Sequence, residues 1–188
     1  FKTGRWHLDI NPTNFFIDEA GVLKLGDFGV AMSPFWQEKY YGPQEFKEVG
    51  TPSYMAPEIW LRKGMSAKSD MWSLGCTIYE LCMLNKAFPM NDKSQLNEAV
   101  TAGKFGELSH RYSSQLNQLI CQLLSPNPDL RPSAGEIAQM DFIVNSKKKF
   151  WECTHLHLAK NASLDEDSSL SLTEIYKDLH TGDYSLHK

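Results

Sequence analysis

Several features that would narrow a protein's role are scarce or missing from these 188 residues. No uninterrupted apolar run approaches the roughly 18 residues that a membrane-spanning helix needs, and no secretory leader opens the chain, so no membrane partner is expected. Lys and Arg number 19 against 23 Asp and Glu, a net charge of −4. The basic surplus of a general nucleic-acid binder is therefore absent, and no nucleic-acid partner is expected. The four cysteines, Cys76, Cys82, Cys121 and Cys153, form no C-x-x-C pair. They read as buried free thiols suited to a reducing compartment, and the cytoplasm is the expected location. His155-Leu156-His157 lacks neighbouring carboxylates or thiols and reads as surface rather than a metal site. Internal repeats are missing too. An initiating methionine is also absent: the chain opens on Phe1, and a preceding segment is expected.

What is present suits one domain with an appendage, because 41% hydrophobic residues suffice for a real core. Asn14–Ile17 and Val22–Leu25 are β-prone runs around a Gly-containing loop, a hairpin signal. From Gly26 to Gly50 no period survives, and a loop of that length is expected to be functional. Ser69 to Leu84 is predicted helical, with Ser69 and Asp70 as start signals; its apolar residues circle the axis, which places it mid-domain. Further helices are predicted over Ser94–Ala102, Ser113–Leu124 and Ser133–Met140, the last opened by a Ser133/Glu136 capping box. The reading is a mostly α domain over 1–145 with a small hairpin, then a polar tail over 146–188 expected to be largely disordered. Within that tail Leu172, Ile175, Tyr176 and Leu179 have helical spacing, which makes a short helix around Ile175 a candidate partner-docking segment.

Five motifs follow one another in order. His7-Leu8-Asp9-Ile10-Asn11-Pro12-Thr13-Asn14 has the form H-x-D-x-x-x-x-N. Asp27-Phe28-Gly29 comes directly after the predicted hairpin. Gly50-Thr51-Pro52-Ser53-Tyr54-Met55-Ala56-Pro57-Glu58 ends in A-P-E, Asp70-Met71-Trp72-Ser73-Leu74-Gly75 opens the central helix, and Pro128 to Ser133 holds Arg131-Pro132. Phosphoryl transfer asks a protein for a carboxylate near the attacking hydroxyl and oxygens to hold magnesium. Together these segments resemble the C-terminal lobe of Ser/Thr protein kinases, most like the NIMA-related members, over residues 1 to about 145.

The resemblance implies the following. Asp9 would orient the substrate hydroxyl and take its proton; Asn14 and Asp27, within the Asp27-Phe28-Gly29 motif, would hold Mg2+ on ATP. Thr51 would bond near Asp9 and shape the substrate site. His7 and Asp70 would be structural, and Glu58 and Arg131 would form a buried ion pair. A protein substrate or scaffold partner is implied, and cytoskeletal association would follow only by family analogy.

Three departures qualify that picture. Leu8 stands where the family has an arginine that reads a phosphate on the activation segment, and between Gly29 and Gly50 the only hydroxyls are Ser33, Tyr40 and Tyr41. Asn11 stands where the family has a lysine facing the transferring phosphate. The glycine-rich loop, the strand lysine and its helix glutamate, which belong to the N-terminal lobe, do not occur in the sequence. As an isolated chain it is expected to be inactive or strongly impaired, and a pseudokinase scaffold or interaction module is the alternative.

Overall fold

A computed structural model describes residues 4–19, 21–33 and 49–150 of the chain. The chain divides into two compact units, Phe1–Ala138 and Gln139–Lys188. Among the described residues of the first unit, one hairpin is the whole of the sheet and helices carry the rest.

The hairpin forms where it was expected. Strand β1 (Phe15–Ile17) pairs antiparallel with β2 (Leu23–Leu25), Phe15 opposite Leu25. A single 3-10 turn, Pro12–Asn14, feeds β1, capped by the Asn11 side chain. The hairpin's apolar residues are largely solvent-facing: Phe16, Ile17 and Leu23 are all exposed.

After the turn Pro52–Tyr54 come α1 (Pro57–Trp60) and the long α2 (Ala67–Met83). Helix α2 starts two residues earlier than Ser69. The reason is its cap: Ser66 accepts from the helix amides while Ser69, at the third helical position, bonds back to the Ser66 amide. Ser69 and Asp70 thus lie inside the first turn, both buried. As the all-round apolar pattern implies, α2 runs through the core, with Trp72 and Cys76 sealed from solvent. Trp72 stacks on Phe88 at 5.5 Å between centroids.

Helices α3 (Lys93–Ala102) and α4 (Ser114–Leu123) close the core from either side. Asp92 and Ser113 cap their starts, and Gly103 ends α3 in the left-handed region. Gly75 lets α2 meet α4 closely: a methyl group there would lie 2.8 Å from Leu123 Cβ. The capping box at Ser133 and Glu136 forms with bonds of 2.6 and 3.2 Å, but helix α5 (Ala134–Ala138) stops before Met140. In the second unit residues 141–150 are helical, with Lys147, Lys148 and Lys149 exposed; the possible helix around Ile175 lies outside the described residues.

The cysteine expectation needs one correction. Cys76 is buried and Cys82 half-buried, but Cys121 is exposed, because it sits on the outer face of α4. Cys153 lies outside the described residues. No helix among the described residues is long and apolar enough to cross a membrane.

Candidate active site

The site is assembled on the segment 7–14, whose backbone is bent into an unusual shape. Leu8 has φ of 65°, a left-handed conformation that costs an L-residue about 1–2 kcal/mol. Asp70 on α2 holds it there. Its Oδ2 accepts the His7 amide at 2.8 Å and its Oδ1 the Leu8 amide at 2.7 Å. The Leu8 side chain, where the family has a charged residue, belongs instead to the buried core cluster with Tyr54 and Met55. Burial pushes the Asp70 carboxyl group above the usual range, and the two amides offset only part of that push.

That bend presents Asp9. Its Oδ1 accepts from the Thr51 amide at 2.8 Å, the Thr51 hydroxyl at 2.7 Å and the Asn11 amide group at 3.1 Å. Its Oδ2 accepts from Asn14 Nδ2 at 3.1 Å. Crowded donors on Oδ1 leave Oδ2 as the oxygen with room for a further hydroxyl. Gly50 makes the approach of Thr51 possible: its φ is 95°, and a side chain there would collide with the Leu8 carbonyl.

Asn11 has a second set of bonds. Its Oδ1 accepts the Thr13 amide at 3.0 Å and the Thr13 hydroxyl at 2.5 Å, while Nδ2 also reaches Thr51 Oγ1 at 3.4 Å. The residue is 97% buried by its 3% exposure. It therefore cross-links Asp9, Thr13 and Thr51, a role that the sequence reading, which saw only the loss of a positive charge, did not assign.

The aspartate of Asp27-Phe28-Gly29 is attached more loosely. Gly26 donates to the Asn14 carbonyl at 2.9 Å, His7 Nε2 bonds the Gly26 carbonyl at 2.9 Å, and the Phe28 ring meets the His7 ring edge-on at 4.8 Å. Among the described residues the Asp27 carboxyl group accepts the Gly29 amide alone, at 3.3 Å, and it is exposed. Its φ of 57° is also left-handed. Asn14 makes its side-chain bonds through Nδ2, to the Asp9 carbonyl at 2.8 Å and to Oδ2. This leaves an amide oxygen and, on the residue after Gly26, which bonds the Asn14 carbonyl, an exposed carboxyl group. Two hard oxygen donors suit Mg2+, which takes few protein ligands and fills its shell with water and phosphate oxygens. The residues fit that ion.

Glu58 and Arg131 are in contact as expected, in a second network beneath the first. Arg131 Nη1 and Nη2 each lie 2.8 Å from a Glu58 oxygen, with the Arg131 side chain fully buried. Ser69 donates to Glu58 at 2.7 Å, and Arg131 also bonds the carbonyls of Ser125, Lys68 and Pro126. The Lys68 ammonium group bonds the Arg131 carbonyl. Burial alone would raise the Glu58 carboxyl, but the bonds and charge of Arg131, helped by Ser69, hold it below the usual carboxylate range. Ser69 and Asp70 are adjacent on α2, so one turn of helix supports both networks.

Tyr54 was not singled out from the sequence. Its hydroxyl donates to Glu80 Oε2 at 2.5 Å, which ties the Thr51–Tyr54 turn to the end of α2. Burial, then the Glu80 carboxylate, raises the phenol well above its ordinary value.

The model of the protein kinase domain matches residues 1–143 of the chain. Curated relatives include the human serine/threonine-protein kinase Nek2, 35% identical over 173 residues, covering 90% of this chain and 38% of Nek2. Mouse Nek4 is 33% identical over 162 residues, covering 86% of the chain and 20% of Nek4. Mouse Nek1 is 38% identical over 146 residues, covering 77% and 12%. The chain thus spans well under half the length of these relatives.

Proposed function

We propose that this chain, which belongs to the protein kinase family, is the C-terminal-lobe part of a Ser/Thr protein kinase similar to the NIMA-related members, with a weakened transfer step. The observation that carries the reading is the four-donor hold on Asp9, from Thr51, Asn11 and Asn14. Such a hold fixes one carboxyl group against a position that an acceptor hydroxyl can take. In this reading Asp9 orients a protein serine or threonine and receives its proton through Oδ2. Thr51 fixes the carboxyl plane and shapes the acceptor site. Asn14 and Asp27 would hold Mg2+, which when bound neutralises the phosphate oxygens of ATP. Glu58 and Arg131 would brace the segment that carries Thr51. A cytoplasmic setting fits the free thiols of Cys76 and Cys82.

The weakening comes from Asn11. A lysine there would place positive charge on the transferring phosphate, a gross contact of about 4 kcal/mol at 4 Å with an effective dielectric near 20. Asparagine supplies no charge, and its amide group is already engaged with Asp9 and Thr51. Leu8, buried in the core, cannot pair with a phosphate, so switching by a phosphate on the segment before Gly50 is not part of this reading.

A chimera that joins the chain to the upstream half of the human Nek2 kinase domain tests it. With Mg·ATP and a Ser/Thr peptide library it should transfer phosphate, Asp9→Asn should abolish transfer, and Asn11→Lys should raise turnover about 10–100-fold. The 188-residue chain alone should show no Mg-dependent rise in melting temperature with ATP. A chimera with no transfer that depends on Asp9 would sink the enzyme reading. It would leave the second reading, a pseudokinase scaffold, which the loss of charge at Asn11 and Leu8 favours.

A further inference from the structure

Beside Thr51 a cleft opens that the phosphoryl-transfer chemistry does not use. It has a volume of about 700 Å³ and lies between the Thr51–Tyr54 turn, the end of α2 and the start of α3. One wall is Thr51 itself, whose hydroxyl bonds Asp9, so the cleft begins one side chain away from the proposed acceptor position. In the proposed reading, a peptide that presents its hydroxyl to Asp9 runs past Thr51, the residue shared with this cleft.

The lining is rich in hydrogen-bond donors: Ser53, Asn85, Lys86, Asn91 and Lys93. Glu80 is the one acidic residue among the described residues lining it, and one of its oxygens is occupied by the Tyr54 hydroxyl. Lys86 follows α2 and leans over the Tyr54 ring, its ammonium 6.0 Å from the centroid and 3.4 Å from the Ser53 hydroxyl. The ring and the Ser53 hydroxyl orient the ammonium, and Lys86 is an exposed residue. On the other side Lys93 stands 5.9 Å from the Trp60 ring centroid. Lys86 and Ser53 together offer a cation and a hydroxyl at one spot, a combination that suits an anionic oxygen cluster.

We infer that this cleft reads an anionic side chain, aspartate or phosphoserine, in the peptide segment that flanks the acceptor residue, with Lys86 as the specificity-determining group. The inference rests on the reading of Asp9 and Thr51 as the acceptor site, but it needs neither ATP nor transfer. Glu80 frames the rival outcome, since a carboxylate in the same cleft could prefer arginine.

Peptide binding to the full 188-residue chain separates them. Fluorescein-labelled peptides with a fixed serine would carry alanine, aspartate, phosphoserine or arginine at each of the four positions on either side, followed by anisotropy at low salt. At one or more positions aspartate should tighten binding about threefold over alanine, and phosphoserine more, an effect that 0.5 M salt should largely erase. Lys86→Glu should reverse the preference toward arginine, and Lys86→Met should flatten it. Lys86 is exposed, so neither change should disturb folding, which circular dichroism checks. A wild-type preference for arginine, an acidic preference that survives Lys86→Glu, or no measurable binding of any peptide would each overturn the inference. Acidic preference in a chain whose Nek2 chimera transfers no phosphate would uphold it while removing the enzyme reading.

Discussion

The two halves of the candidate site are held in opposite ways. Beneath Asp9 everything is buried and multiply bonded: Asp70 clamps two backbone amides, and Glu58 faces Arg131 through two bonds while Ser69 joins it. Around Asp27, among the described residues, little is. Its carboxyl group holds one amide, its motif partner Phe28 is 60% exposed, and the hairpin before it turns Ile17 and Leu23 to solvent. The first region is fixed by the chain's own interior. The second carries the residues proposed for Mg2+ with little enclosure among the described residues, and an exposed carboxyl group can reorient until a ligand holds it. Among the described residues, the carboxyl group proposed to face the acceptor is preorganised and the pair proposed for Mg2+ is not.

Breaking the buried side should therefore have the largest effect. Arg131→Met leaves the Glu58 charge unpaired in the interior and should cost about 3–5 kcal/mol, read by urea denaturation. Adding Glu58→Leu to it should recover much of that loss, because a matched apolar pair no longer buries a lone charge. The pH dependence follows from the direction of the Glu58 shift. Its folded carboxyl group titrates lower than the unfolded one, so its contribution is complete above about pH 4.3 and disappears as the pH falls through the folded value. Glu58→Gln should make the acid limb of the stability profile shallower. An unchanged limb would mean that the pair is not the anchor described.

Asp70→Asn comes next. An asparagine can accept one of the two amides but turns a donor toward the other, so about 1–3 kcal/mol should be lost at neutral pH. Asp70 is shifted the other way from Glu58. Its folded carboxyl group titrates higher, so the stability it contributes is complete below about pH 3.9 and declines as the pH rises through the folded value. The cost of Asp70→Asn should accordingly shrink across that window. Amide exchange at Leu8 should speed up in the variant; exchange no faster than wild type would show that the left-handed bend is held by something else.

How far this was legible beforehand depends on the kind of constraint. Ordered motifs marked Asp9, Asn14, Thr51, Asp27, Glu58 and Arg131, and local periodicity found the helices, because both live in residues close in sequence. Clamps between distant segments were legible only where the family resemblance implied them, as for Glu58 with Arg131 and Thr51 with Asp9. Nothing near Asp70 says that it bonds amides 62 and 63 residues earlier, nor near Tyr54 that Glu80 waits for it. The start of α2 was misplaced because Ser66, Ser69 and Asp70 are all good capping residues, and only the folded chain reveals which one caps. Asn11 was read by what it lacks, a charge, whereas what it does depends on Thr51, forty residues on. Cys121 was misread since a helical stripe predicts which face is buried but not which residues flank it.

The smallest expected effect tests the exposed side. Ile17 is 71% exposed on β1. If the hairpin stands in water in this chain, replacing it with threonine keeps the β-branched shape and removes little buried area, so stability should change by less than about 0.5 kcal/mol. Leu23→Thr, its partner in register, also removes little buried area and should stay under the same limit. A loss above about 1 kcal/mol in either would mean that this face is covered in solution. The sharp line between the enclosed surroundings of Asp9 and the open surroundings of Asp27 would then disappear. Sedimentation of wild type and Ile17→Thr at several concentrations decides what covers it: a dimer that the threonine dissolves identifies a second copy, whereas a monomer throughout points to the rest of the chain itself.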